Sequence, residues 1–359
     1  MKITFVLPYA GLAGGIRVVA IYAERLQNMG HTVFVISQPE EKVSLRDRLR
    51  SIMKEQKFIS VSKNSLSHFD NLDVHHKIIE SNRPITDADV PDADVVIATW
   101  WETAEWVSNL SEYKGAKAYF IQHYETHDYL PIERARATYS LPIHKITIAQ
   151  WLVDLMNTKY KDKNVFLVPN SVDTQQFSAP PRSKQSIPTV GMMYSPQKWK
   201  GCDISLKAFS LAKNKIEKLR LIAFGKPEFL PKSFIPYNIE YFCQPPQNKI
   251  KDIYSRCDAW LFGSRYEGFG LPILEAMACR TPVIGTSAGA APELLVDGGG
   301  ILIKPEEPES MAEAIINVCQ LSNKEWQLMS EAAYTKAKNY SWQDAAKLFE
   351  TALYKIKEA

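Results

Sequence analysis

The chain has 359 residues, 45% of them hydrophobic and 23% charged, with a formal net charge of +3. That length suits two domains better than one, and the composition is that of a globular protein. A charge this close to balance argues against a protein that coats nucleic acid, and no apolar run is long enough to span a bilayer. The five cysteines, Cys202, Cys243, Cys257, Cys279 and Cys319, all fall in the second half and form no CxxC pair. They read as reduced thiols of a cytoplasmic protein, not as a disulfide frame or zinc site.

In chain order, "ITFVLP" reads as a buried parallel strand because its apolar residues run without alternation. It is too brief for the apolar core of a signal peptide. The loop "YAGLAGG" follows, then a helix with Ile16, Val19, Ala20, Ala23 and Leu26 on one face, ended by Gly30. "HTVFVIS" completes a βαβ unit. Further strands are expected at "DVVIAT", "KAYFIQ", "KITIA" and "VFLVP". The polar, proline-rich run 170–188 reads as a linker. Alternation then restarts with strands at "TVGMMY", "LRLIAFG", "IEYFC", "AWLFG", "TPVIGT" and "GILIK". Helices are expected at "CDISLKAFSLAK", "NKIKDIYSRC" and "PESMAEAIINVCQL", and a long helical region closes the chain. The fold expected is α/β: two doubly wound, Rossmann-like domains facing across a cleft. Their boundaries are placed at 1–172 and 185–338, with a terminal helix over 339–359.

The stretch "SRYEGFGLPILEAMACRTPV" holds Glu267 and Glu275 eight positions apart, across a loop that becomes a helix. Pro272 suits the first helical position, so the amides of Phe269, Gly270 and Leu271 should point out of the helix end, toward an anionic or hydroxyl-rich ligand. Glu275 is expected in the first turn, opposite the apolar face of Ile273, Leu274 and Met277, and so clear of the core. Both acids could accept hydrogen bonds from sugar hydroxyls. Equally, an acid in a first turn complements the helix dipole.

Other places invite chemistry. Gly14 and Gly15, in "GLAGG", allow close backbone approach at a helix N-terminus, though the spacing is not GxGxxG and an ordinary βα turn reads as well. In "KWKGCD", a lysine can neutralise a diphosphate leaving group; Lys198 reads as the more solvated and Lys200 as the functional one. His123 ends a strand at the ligand-binding edge; His127 and His144 read as structural. Trp100, Trp101 and Trp106 line an acceptor pocket or fill the core. The basic amphipathic segment 40–63 rests on an anionic membrane or presents a solvated face.

"EGFGLPILEAMACRTPVI", with its E-x7-E spacing, resembles the signature of glycosyltransferase family 4, retaining enzymes of GT-B fold. "GLAGGIRVVAIYAERLQNMGHTVFVIS", "DADVVIAT", "VPNSVDTQQF", "IYSRCDAWLFGSRYEGFGLP", "SAGAAPELLVDGGGILIKP" and "YSWQDAAKLFETAL" extend the resemblance over nearly the whole chain, in order. The resemblance implies that Glu275 binds the ribose hydroxyls of a nucleotide sugar and that Glu267 stands at the reaction centre. It assigns the backbone of Phe269, Gly270 and Leu271 to the sugar hydroxyls and diphosphate. Gly14, Gly15 and Lys200 go to the diphosphate, and His123 contacts the donor sugar and supports catalysis. Two departures stand out: Met192 occupies the place of a diphosphate-binding arginine, and Arg280 stands where the family has glycine.

The function expected is retaining transfer from a nucleotide diphosphate sugar to a glycan, lipid-linked or small-molecule acceptor, in polysaccharide or glycoconjugate assembly. No cofactor, metal or nucleic acid is expected. A cytoplasmic protein is expected, with contact at the inner membrane face left open by segment 40–63. An epimerase or non-catalytic sugar-nucleotide subunit of the same fold is the alternative.

Overall fold

The computed structural model describes residues 1–40, 67–127, 129–228, 230–231 and 239–359. The chain forms two compact units. One comprises Met1–Thr147, Val153–Leu167 and Ala346–Ala359; the other comprises Ile148–Leu152 and Val168–Ala345.

The first unit is built on a parallel sheet of β1 (Lys2–Leu7), β2 (Thr32–Ser37), β3 (His75–Ile78), β4 (Val95–Ala98), β5 (Ala116–Ile121), β6 (His144–Thr147) and β7 (Val165–Leu167). Their order is β3-β2-β1-β4-β5-β6-β7. The winding reverses between β1 and β4, the switch point where open parallel sheets bind ligands. β4 is buried throughout, and β1 from Ile3 onward, which accounts for their continuous apolar runs. β3 had no such signature. Its sequence is HHKI and it is largely exposed, as befits an edge strand. It is held by pairing with β2 and by a 2.9 Å bond between Ser37 Oγ and His76 Nε2. Helix α1 (Gly14–Asn28) buries Ile16, Val19, Ala20, Ala23 and Leu26, as its periodicity predicts, and Gly30 follows it at φ +94°. Helices α2 (Trp101–Ser108), α3 (Ile132–Thr138) and most of α4 (Gln150–Lys159) also lie in this unit.

The second unit repeats the winding. Its strands are β8 (Thr189–Tyr194), β9 (Arg220–Gly225), β10 (Glu240–Cys243), β11 (Ala259–Phe262), β12 (Val283–Thr286) and β13 (Gly300–Ile303), in the order β10-β9-β8-β11-β12-β13. Helices α5 (Cys202–Lys213), α6 (Gln247–Ser255), α7 (Leu271–Ala278), α8 (Ala291–Leu294), α9 (Pro308–Gln320) and α10 (Asn323–Lys338) complete it. The final helical region is two helices: α11 (Trp342–Glu358) follows α10 after a break, and its residues from Ala346 onward belong to the first unit. There Phe349 packs 4.5 Å from Tyr22, 5.1 Å from Phe120 and 6.1 Å from Phe5 between ring centroids.

The run 170–188 is folded onto the second unit instead of hanging free. Asn170, Ser171, Val172 and Phe177 are buried, and Arg182 lies 4.5 Å over the Trp326 ring. Lys184 Nζ donates to the carbonyls of Cys319 and Leu321, at 2.5 and 2.6 Å, just where α9 ends and leaves acceptors unpaired by its own helix. All five cysteines are free thiols.

Candidate functional site

In the second unit, β8 and β11 are neighbours at the switch point, with Gly191 opposite Trp260. Their carboxyl ends release two loops. One runs from Ser195 through a short 3-10 turn, Lys198–Lys200, to Gly201. The other runs from Gly263 to Gly270. Lys200 Nζ donates to Glu267 Oε1 at 2.7 Å, and Ser264 Oγ donates to the same oxygen at 2.9 Å. The pair is half-buried, with side-chain exposures of 24% and 12%. What allows the loops so close is glycine: Gly201 has φ +58°, and a Cβ there would stand 1.7 Å from the carbonyl oxygen of Gly263. Ser264 was not anticipated. Its only sequence signal is its place at the end of β11.

Gly270, at φ +97°, caps α7, which starts at Leu271 with Pro272 at its second position. The helix end thus lies one residue earlier than the proline suggests. Phe269 is buried, and its carbonyl accepts from the Ala290 amide at 2.9 Å. The Gly268 carbonyl accepts from Trp151 Nε1 at 2.8 Å. Glu275 differs from expectation in two respects. It stands in the second turn, so it is not a first-turn dipole acid. It is also buried, at 7% exposure, where the Tyr254 hydroxyl donates to Oε2 at 2.9 Å. The reason is that α7 is apolar almost all round and packed on every side. Six consecutive residues, Ile273–Ala278, are buried, leaving no solvated face for the acid.

In the first unit, Gly14 and Gly15 are exposed at the start of α1, and the Gly15 carbonyl accepts from Gln122 Nε2 at 3.1 Å. His123 lies two residues beyond β5, half-buried, with Nδ1 2.9 Å from the Tyr124 carbonyl and its ring 4.9 Å from that of His127. His127 stacks on Tyr129 at 5.3 Å.

Glu125 is a further buried acid in the first unit, with no motif to mark it in the sequence. It is 1% exposed, and its Oε2 accepts from the Trp101 amide at 2.9 Å and the Tyr119 hydroxyl at 3.0 Å. The Tyr139 hydroxyl accepts from the Glu125 amide at 2.8 Å and donates to the His123 carbonyl at 3.2 Å. Burial pushes the Glu125 carboxyl up to about 8. Flanked by Tyr124 and Thr126, it gave no pattern that marks burial.

Met192 is buried in the apolar core of the second unit, so no cation is offered at that position, and Lys198 is exposed. Trp101 and Trp106 are buried as core; Trp100 is half-buried. Among the described residues no three His, Cys, Asp or Glu side chains gather as a metal site, and no helix is long and apolar enough to cross a membrane. Residues 41–63 of the basic segment lie outside the described residues.

Residues 173–336 match the family described as Glycosyl transferases group 1. Over 107 residues the chain is 31% identical to O-antigen chain mannosyltransferase B of Escherichia coli, a match covering 30% of this chain and 27% of that protein. It spans less than half the length of the curated relatives it matches. Among solved structures, sucrose-phosphate synthase of Thermosynechococcus elongatus superposes with a TM-score of 0.73 at 14% identity, covering 99% of this chain and 98% of that one. HepE of Anabaena, solved in complex with UDP and glucose, gives 0.73 at 15% identity, covering 99% and 100%. The chain therefore has the GT-B fold of two Rossmann-like units, and its second unit carries a domain of the glycosyl transferases group 1 type.

Proposed function

We propose that the protein is a glycosyltransferase of family 4 type, moving a sugar from a nucleotide diphosphate sugar to a glycan or lipid-linked acceptor with retention of configuration. The observation that carries this is the Lys200–Glu267 pair, 2.7 Å apart, at the adjoining carboxyl ends of β8 and β11. A cation for a diphosphate and an acid for a sugar hydroxyl stand together beside the N-terminus of α7, where unpaired amides favour anions. In this reading Glu275 accepts from the ribose hydroxyls, and the amides of Phe269, Gly270 and Leu271 donate to the sugar and diphosphate. In the first unit, His123 and the amides of Gly14 and Gly15 belong to the proposed set. The bond from the anomeric carbon to the phosphate oxygen breaks, and the acceptor oxygen bonds to that carbon from the same face. The acceptor's proton passes to the departing phosphate, so no enzyme nucleophile is required. Lys200 and the helix-end amides neutralise the leaving group, and turnover on this reading survives EDTA. Two likenesses support the reading: the O-antigen mannosyltransferase relative, which favours polysaccharide assembly, and the UDP-bound fold neighbour.

The test is a thermal-shift screen against nucleoside diphosphates and their sugars, followed by turnover with the donor that binds. A hundredfold excess of ligand over Kd should stabilise the protein by about 2.7 kcal/mol. Glu267→Ala should still bind nucleotide but lose turnover by ~10²-fold or more. Conversion of the donor without any acceptor would mean an epimerase. Binding without turnover across an acceptor pool would mean a non-catalytic subunit, and absence of binding to any nucleotide would end the reading altogether.

A further inference from the structure

We propose that Arg265 is a positioning residue: it fixes the register of the two loops that bring Lys200 and Glu267 together, and acts on the donor only through them. The inference rests on the donor site proposed above.

Arg265 stands two residues before Glu267 and next to Ser264, which itself bonds Glu267. Its side chain has five N–H groups in a planar fork, and the structure pairs them all. Nη1 donates to the Lys198 carbonyl at 2.6 Å and to Asp203 Oδ1 at 2.8 Å. Nη2 donates to Asp203 Oδ2 at 2.8 Å and to Glu306 Oε2 at 3.1 Å. Nε donates to Glu306 Oε1. The Arg265 amide adds a 2.8 Å bond to the Trp199 carbonyl. One residue thus grips both carbonyls of the turn that leads into Lys200, the first turn of α5 just after it, and the segment beyond β13.

Charge and exposure then decide what this arrangement does. Arg265 is a cation near the proposed diphosphate, in a chain that has Met192 at the other arginine position. Yet its donors are all committed, and it faces two carboxylates, so it adds no net positive charge for a phosphate to feel. Asp203 and Glu306 are well exposed, at 69% and 59% of their side chains. Ion pairs of that exposure contribute little to stability. Geometry is what the network supplies. Without the side-chain network, the Lys198–Lys200 turn keeps the Gly201–Gly263 contact and the backbone bond from the Arg265 amide to the Trp199 carbonyl, but loses the bonds to the Lys198 carbonyl and Asp203 that fix its register against the loop carrying Glu267.

The experiment uses the full chain with UDP, GDP and ADP, each paired with its monophosphate, measured by calorimetry for wild type, Lys200→Ala, Arg265→Gln and the double variant. Arg265→Gln should weaken diphosphate binding roughly tenfold while leaving the monophosphate unchanged. In the Lys200→Ala background it should add nothing, because a residue acting through Lys200 has no effect once that lysine is gone. Asp203→Asn, at an exposed position, should reproduce the selective loss to a smaller degree and guards against misfolding of Arg265→Gln. Full additivity in the double variant would overturn the inference, as would unaltered diphosphate affinity in Arg265→Gln when Lys200→Ala weakens it. If Lys200→Ala leaves diphosphate affinity intact, the donor-site reading itself fails and the positioning role with it.

Discussion

Glu125 is sealed among Tyr119, Tyr139 and Trp101, and burial pushes its carboxyl from an ordinary value of 4.5 up to about 8. A group raised in this way binds its proton more tightly in the folded chain than in the unfolded one. Its contribution to stability is therefore complete below about 4.5 and is lost as pH rises through about 8. Both protein contacts fall on one oxygen, Oε2, so a glutamine can keep them with its carbonyl. Glu125→Gln should remove this component of the pH dependence, on the order of a few kcal/mol across the window. Chemical denaturation of wild type and variant at pH 5, 7 and 9 checks it: the two should converge at low pH, and the variant should be the more stable at pH 9. Parallel curves for the two proteins would show that the carboxyl is ionised throughout. The Tyr139 hydroxyl also links the Glu125 amide to the His123 carbonyl, so the backbone that carries this carboxyl is tied to a residue of the proposed site.

At the scale of elements, most of the fold could be read from the sequence, because the strands buried on both faces are mostly apolar runs with few polar interruptions, such as Thr4 in β1, and the helices between them show a clear stripe. α5 runs over Cys202–Lys213, the segment read as helical. β3 was illegible because an edge strand of His and Lys has no apolar signature, and Glu275 was misplaced because the cap is Gly270, not the residue before Pro272. Arg280 lies between these cases. It follows α7 in the left-handed conformation at φ +58°, which the glycine expected there from the resemblance would adopt without strain. The structure retains an arginine through its side chain. The guanidinium lies 3.9 Å over the Tyr334 ring, pairs with Glu331, and donates from Nε to the Ala179 carbonyl at 3.1 Å. Two substitutions separate these effects. Arg280→Ala loses the contacts and keeps the strain; Arg280→Gly loses the contacts and relieves it. Both should be less stable than wild type, with Gly above Ala by about 1 kcal/mol, measured by urea midpoints. Ala equal to or above Gly would mean that the left-handed backbone is not held there.

On the scale of the whole chain, the first unit contains both ends of the sequence. β1 begins at Lys2, and the last residues of α11 complete the same core. Phe349 is fully buried among Phe5, Tyr22 and Phe120, while His31 Nε2 meets Glu350 at 2.7 Å and Lys357 Nζ meets Asp94 at 2.9 Å. α11 lies far along the chain from β1–β7, so the first unit should complete its core only after that helix has been synthesised. Truncating the ring tests how far that core depends on its last piece. Phe349→Ala should cost about 3–5 kcal/mol, the usual loss for a buried aromatic, and the loss should fall on the first unit. Hydrogen exchange should then show β1, β4 and α1 opening at lower free energy, while β8, β11 and α7 keep their protection. Equal loss of protection in both sheets would mean that the chain unfolds as one cooperative body. Unchanged protection in β1 would mean that α11 merely covers the first core without sustaining it.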